Sequence, residues 1–213
     1  MANPIIYGPA YSTFARTVRL GLEEKGVPYE LQEVDLLSGA HQSAEHLARH
    51  PFGKVPAFSH DGFDLYETGA ILRYINDTFD GVALQPSDAR QRARMNQIVS
   101  IVDSYAYPCF ITNIFIPRVV APMTGGTTDE AAVEAEMPKA ETCVRQLDKL
   151  VGNNKYAAGD TLSMADLALV PVYDYFSQTP EGQKSLQAAP NLQRWWSSIS
   201  ARPSVEKTKP SMG

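Results

Sequence analysis

The sequence predicts an α/β unit over residues 1–80 followed by an all-helical half over residues 88–213. Three features carry this expectation. Apolar residues up to Phe79 switch between strand and helix periods in the order βαβαββα. A polar break runs from Asp80-Gly81 to Pro86-Ser87-Asp88. Beyond it strand patterns stop, and apolar residues recur every three or four places.

The first strand is the apolar run Pro4 to Tyr7, closed by Gly8-Pro9. Ser12 and Thr13 then precede Phe14, Val18 and Leu22, which share one helical face, and Gly26 stands where a left-handed cap ends that helix. Tyr29 to Val34 reads as a second strand, parallel to the first if the helix is the crossover. Gly39-Ala40-His41-Gln42 opens a polar, mobile second helical region through His50. Pro51-Phe52-Gly53-Lys54-Val55-Pro56 excludes a helix and delivers the chain into a strand, with Pro56 at its mouth. A cis Val55-Pro56 bond would fix such a turn. His60-Asp61-Gly62 is a hairpin signal, and Ala70, Ile71, Tyr74, Ile75 and Phe79 mark a third helix behind Glu67-Thr68-Gly69. An exposed backbone edge beside that helix mouth is a place to hold a small peptide.

In the second half, Ile98, Val99, Val102, Tyr105, Ala106 and Cys109 follow helical spacing, with a kink or an interruption expected at Pro108. Val133 to Val151 is a long helix in which Pro138 predicts a bend or a late start. Ser163 and Asp166 form a capping box, with Leu162 and Leu167 at its staple positions. A last helix carries Leu192, Trp195, Trp196 and Ile199 and ends at Arg202-Pro203.

Composition narrows the function. A net charge of -5 and no basic run argue against a nucleic-acid surface. The N-terminus has no signal-peptide pattern, and no apolar run approaches the roughly 20 residues that span a bilayer. Cys109 and Cys143 lie far apart without CxxC or CxxH spacing, which speaks against structural zinc and dithiol chemistry. The expectation is a cytoplasmic protein with reduced, buried thiols and no metal.

Five stretches in order resemble the soluble glutathione transferases, most closely the serine-type phi class or a bacterial relative. They are Tyr7-Gly8-Pro9-Ala10-Tyr11-Ser12, Gly39-Ala40-His41, Pro51 to Ala57, Leu65-Tyr66-Glu67-Thr68-Gly69-Ala70-Ile71, and Ser163-Met164-Ala165-Asp166. The resemblance implies a thioredoxin-like domain that binds glutathione, then an all-helical domain contributing the second-substrate pocket. It implies that Val55 offers its backbone to the cysteinyl part beside cis Pro56, that Glu67 and Thr68 hold the γ-glutamyl end, and that His41 and Lys54 face the glycyl carboxylate. It also implies a homodimer in which the aromatic Phe52 enters the partner subunit. Gln42 stands where phi members usually carry lysine, and Thr68 where they usually carry serine.

Ser12 at the start of the first helix is the first candidate to stabilise a glutathione thiolate, with Tyr11 second; Tyr7 also carries a hydroxyl. A plain N-cap is the competing reading of Ser12. Tyr105, Tyr107, Phe110 and Phe115 are candidates for an apolar electrophile pocket, against the alternative that they are core. Three functions stay open. The first is conjugation of glutathione to an apolar electrophile. The second is a peroxidase, isomerase or dehalogenase reaction on the same thiolate. The third is a non-catalytic ligand-binding or scaffold role.

Overall fold

The computed structural model describes residues 2–210. Residue 1 and residues 211–213, the outer ends of the two expected domains, lie outside the described residues. Contacts divide the chain into one unit of residues up to Gln85 plus the segment from Arg202, and a second unit, Pro86–Ala201.

The first unit is built on a four-stranded sheet in the order β2-β1-β3-β4. Strand β1 (Ile5–Tyr7) leads through helix α1 (Thr13–Lys25) to β2 (Glu30–Gln32), which pairs with β1 in parallel. A parallel pair needs a crossover of this length, and α1 supplies it. Gly26 closes α1 at φ 68, its N–H on the carbonyls of Glu23 and Leu22. A tight turn at Ala40–Gln42 and the short helix α2 (Ala44–Arg49) follow. Strands β3 (Ala57–His60) and β4 (Phe63–Tyr66) form an antiparallel hairpin. Its two turn residues, Asp61 at φ 49 and Gly62 at φ 78, both have the positive φ that a tight hairpin turn requires. Helix α3 (Thr68–Thr78) packs on α1. Ile6 and Phe58 from the sheet, Ala15, Val18 and Leu22 from α1, and Ile71 and Ile75 from α3 are fully buried between these layers.

The second unit is helical. Asp88 caps α4 (Ala89–Ile101), accepting from the Arg90 and Gln91 amides. Without a break the chain passes into a wide-turned segment, Val102–Val120, and then the single turn α5 (Ala121–Met123). Pro108 does not interrupt the helix. Proline lacks an N–H and its ring crowds the carbonyl four residues back; a π-type turn moves that carbonyl aside. The Ala121 amide accordingly bonds five residues back, to Ile116. Helix α6 (Glu130–Val151) runs through Pro138 with no late start, and α7 (Met164–Phe176) opens on the expected Ser163–Asp166 capping box. Helices α8 (Pro180–Leu186) and α9 (Pro190–Ile199) complete the unit.

Two expectations are corrected. The helix carrying Leu192 to Ile199 is not the last: Pro203, where it was expected to end, begins α10 (Pro203–Thr208), and this helix packs on α1 within the first unit. Proline suits the first turn because that N–H has no helical partner anyway. Ala89–Met123 also forms one helix long and apolar enough, by length and composition, to cross a membrane, contrary to the sequence reading. Its Phe110 stacks on Phe176 and its Phe115 on Tyr175, contacts of a core helix.

Candidate active site

The register of the sheet assembles the candidate glutathione site. Tyr7, the last residue of β1, pairs with Gln32, the last of β2, and with Ala57, the first of β3. Ala57 in turn faces Tyr66, the last residue of β4. The segments carrying Tyr11 and Ser12, His41, Lys54 to Pro56, and Glu67 and Thr68 therefore all leave the sheet at one end. Gly8 records the closeness of two of them. A Cβ there would stand 3.3 Å from the Cβ atoms of both Ala15 and Val55.

Ser12 is the N-cap of α1. Its Oγ accepts the Ala15 amide at 3.2 Å, its N–H donates to Pro9 at 3.0 Å, and its carbonyl accepts Arg16 at 2.8 Å. The structural role named as the competing reading is thus present. It does not consume the hydroxyl proton, because a serine oxygen accepts and donates at once. Tyr11 is 40 % exposed. Partial burial, helped by the charges of Asp35 and Glu33 and opposed by a backbone hydrogen bond at Leu36, raises its hydroxyl above the ordinary tyrosine value. Tyr7 lies in β1 with the Arg49 guanidinium 4.3 Å from its ring centre.

Val55 is half-buried, and its bond to the buried Pro56 is cis. Glu67 is exposed and sits at φ 72, ψ 111, conformational territory that costs a non-glycine residue about 1–3 kcal/mol. From there its carbonyl receives the Ala70 and Ile71 amides, so the outlier starts α3 at the same end of the sheet. Thr68 is the first residue of that helix. Lys54 is exposed; His41 is half-buried in the 40–42 turn, with a buried Nδ1 that has no hydrogen-bond partner. Gln42 reaches Gly53, its Nε2 lying 3.4 Å from that carbonyl oxygen.

Two residues of this region escaped the sequence reading, which took 39–50 as a mobile polar stretch. His46 and His50 are each only 2 % exposed. Nε2 of His46 is 2.7 Å from the Lys54 carbonyl oxygen, and the His50 ring lies 4.9 Å from that of Tyr66. Burial lowers the His50 imidazole below its ordinary value, against the charge of Glu67 and with those of His46 and Lys54. Their four-residue spacing places both on one helix face, which was the available signal.

The four aromatics of the helical unit are not brought together. Phe110 and Phe115 are 3 % and 4 % exposed, with rings stacked at 4.0 Å on Phe176 and 4.5 Å on Tyr175. Both take the core packing that was the alternative reading for these rings. Tyr107 is half-buried, and burial raises its hydroxyl. Tyr105 is 63 % exposed and lines a recess of about 660 Å³ with Pro108, Cys109, Pro138 and Cys143. There the Cys109 thiol donates to Glu136 at 2.9 Å. Burial first, then this bond, pushes that thiol far up; burial also raises Cys143. Both cysteines are free.

A thioredoxin-like unit with a peptide-sized backbone edge, followed by a helical unit, defines the class, and comparison with known proteins gives the family. Residues 5–77 match the family model described as glutathione S-transferase, N-terminal domain, and residues 91–203 match glutathione S-transferase, C-terminal domain. The chain is 32 % identical to glutathione S-transferase 1 of Zea mays, over 97 % of this chain and 96 % of the relative. It is 34 % identical to the probable glutathione S-transferase GSTF1 of Oryza sativa subsp. japonica, over 95 % and 93 % of the two chains. Among solved structures, glutathione transferase F7 from Populus trichocarpa superposes with a TM-score of 0.86 at 29 % identity, covering 96 % and 97 % of the chains. Glutathione S-transferase I from maize, in complex with an atrazine glutathione conjugate, superposes with a TM-score of 0.85 at 31 % identity, covering 97 % and 96 %. The chain belongs to the glutathione S-transferase family.

Proposed function

We propose that this protein is a glutathione transferase that lowers the pKa of bound glutathione and adds the resulting thiolate to an apolar electrophile. The observation that carries this reading is the convergence of the Ser12 cap, Val55-Pro56 and Glu67-Thr68 at one end of the sheet. The Val55 backbone takes the cysteinyl part, Glu67 and Thr68 the γ-glutamyl end, and His41 and Lys54 the glycyl carboxylate. That placing puts the sulfur at the mouth of α1.

A free thiol has a pKa of about 8.5. Lowering it by two units takes roughly 3 kcal/mol of preference for the thiolate. A helix N-terminus contributes about 0.3–1 kcal/mol. A hydrogen bond to a charged group contributes about 1.5–3 kcal/mol. The terminus alone falls short, so the Ser12 hydroxyl, donating to the sulfur, is the larger part. Tyr11 is the second donor in reach of the same end of the sheet. The thiolate then attacks the electrophilic carbon, forming the C–S bond as a leaving group departs or the adduct takes up a proton.

The maize enzyme seen with an atrazine conjugate supports an apolar, ring-bearing electrophile, and with it a detoxifying role. Of the four candidate contacts, Tyr105 and Tyr107 are the more exposed and are the ones proposed to meet it. Phe52, 70 % exposed, fits a two-fold dimer in which it enters the partner. The recess beside Tyr105 has the volume for such a ring. Unbridged cysteines suit a reducing compartment such as the cytoplasm.

A calorimetric titration with glutathione near neutral pH tests the reading. Binding with proton release, and an ultraviolet thiolate band on the complex, are expected. Binding without either would leave a ligand-binding protein. Turnover of a panel of chloroarenes, epoxides and hydroperoxides then separates conjugation from the related reactions.

A further inference from the structure

The loop that presents Val55 is held from behind, and what holds it is not part of the site described above. Pro51, Gly53 at φ 57, and Pro56 keep residues 51–56 out of helix and sheet. The carbonyls of Gly53 and Lys54 therefore lack ladder partners, and backbone acceptors near the interior need donors. Two side chains, one from the 40–42 turn and one from α2, supply them. Gln42 Nε2 lies 3.4 Å from the Gly53 oxygen, and His46 Nε2 lies 2.7 Å from the Lys54 oxygen.

We propose that His46, assisted by Gln42, is a positioning residue for glutathione: it clamps the Lys54 carbonyl and so presents the Val55 backbone to the peptide. The inference rests on the glutathione reading above and deepens it. A carbonyl oxygen only accepts, so a hydrogen of the imidazole sits on His46 Nε2 in this bond. Nδ1 is buried and has no hydrogen-bond partner. An imidazole with one nitrogen satisfied only by the loop and the other by nothing is poorly explained as packing. An apolar ring of similar size would fill the space without leaving a buried nitrogen unmatched.

The helix that carries His46 cannot do this unaided. At six residues, α2 is far below the length at which a helix holds itself in water. Ser43 caps it, accepting the His46 amide at 3.2 Å. The His50 ring then rests on Tyr66 of β4, anchoring the helix to the sheet. Gly53 admits the second donor. A Cβ there would lie 2.4 Å from Gln42 Nε2, so any side chain at 53 would displace Gln42. This also accounts for Gln42 where phi members usually carry lysine: here the side chain serves the loop.

The test compares wild type with His46→Phe and His46→Gln by glutathione calorimetry, steady-state kinetics and thermal unfolding. Loss of one neutral hydrogen bond to the loop predicts about a three- to tenfold weaker glutathione affinity in His46→Phe. KM for glutathione should rise to match, while kcat at saturating glutathione changes by less than about twofold. His46→Gln, which keeps a donor, should recover most of the affinity. Unchanged affinity in folded His46→Phe overturns the proposal, as does a fall in Tm with no change in KM. If His46→Phe does not fold, nitrogen NMR of the wild-type ring decides: a proton on Nδ1 rather than Nε2 overturns it. Failure of the wild type to bind glutathione is a different result, and refutes the functional reading instead.

Discussion

The indole N–H of Trp195 donates to the carboxylate of Asp166 at 2.8 Å, deep in the helical unit. The same carboxylate accepts the Ala157 amide at 2.7 Å, the Ser163 amide at 2.9 Å and the Ser163 hydroxyl at 3.2 Å. A local capping box is thereby also the tie between α7, α9 and the loop before α7. Asp166→Ala orphans several buried donors at once and is expected to cost at least about 3 kcal/mol. Asp166→Asn keeps one acceptor oxygen and should cost less. Urea unfolding measures both; a loss under about 1 kcal/mol for the alanine variant would refute the network's importance.

Ser12→Ala separates the two jobs of that residue. Loss of a hydrogen bond to the thiolate predicts a fall in kcat/KM of about 10- to 150-fold. Loss of the cap predicts about 1 kcal/mol of stability. Glutathione affinity should change little, and Tyr11→Phe should leave most of the rate. An unchanged rate in Ser12→Ala with a large loss in Tyr11→Phe would transfer the thiolate to Tyr11.

The C-terminal helix is strapped to α1 by a charge that acid removes. Glu24 accepts from Arg202 at 2.8 and 2.6 Å and from the Ser204 hydroxyl. Burial alone would raise this carboxyl, but the bonds from Arg202 and Ser204 and the guanidinium charge outweigh it, leaving the group below its ordinary value. A lowered carboxyl stabilises the fold at pH above its unfolded value, about 4.3, and the contribution disappears as pH falls through the folded value. Amide hydrogen exchange in residues 203–208 should therefore quicken in acid in the wild type. Glu24→Gln should exchange quickly already at neutral pH and lose that slope; equal protection in the two proteins at pH 7 would contradict it.

Phe52→Ser tests the proposed dimer. Each buried phenylalanine is worth about 1.5–3 kcal/mol, and a two-fold interface counts it twice. Dissociation should become at least about 100-fold easier by sedimentation, while Phe63→Ser, also exposed, leaves it unchanged. A wild type that sediments as a monomer would refute this assembly.

Local rules made several elements legible. Gly26, Asp61-Gly62 and Ser163 with Asp166 each act within a few residues, and each does in the structure what its neighbours in sequence predict. The cis form of Val55-Pro56 was named from the chain but decided by the fold. Pro108 and Pro138 do not break their helices, because a helix buried against neighbours tolerates a missing donor that an isolated helix would not. The core stacking of two electrophile candidates has a related cause. Periodicity places Phe110 and Phe115 on a helix, yet only the approach of α7 brings Phe176 and Tyr175 onto their faces.

The chain's order of motifs thus sufficed for the family and the two-part architecture, since these depend on spacing and short-range backbone preference. Sheet register, the burial of His46 and His50, the return of residues 203–208 to α1 and the sharing of Asp166 with Trp195 were settled only by tertiary packing. Each of these joins groups distant along the chain, and no local propensity encodes which of several chemically suitable partners a donor will meet.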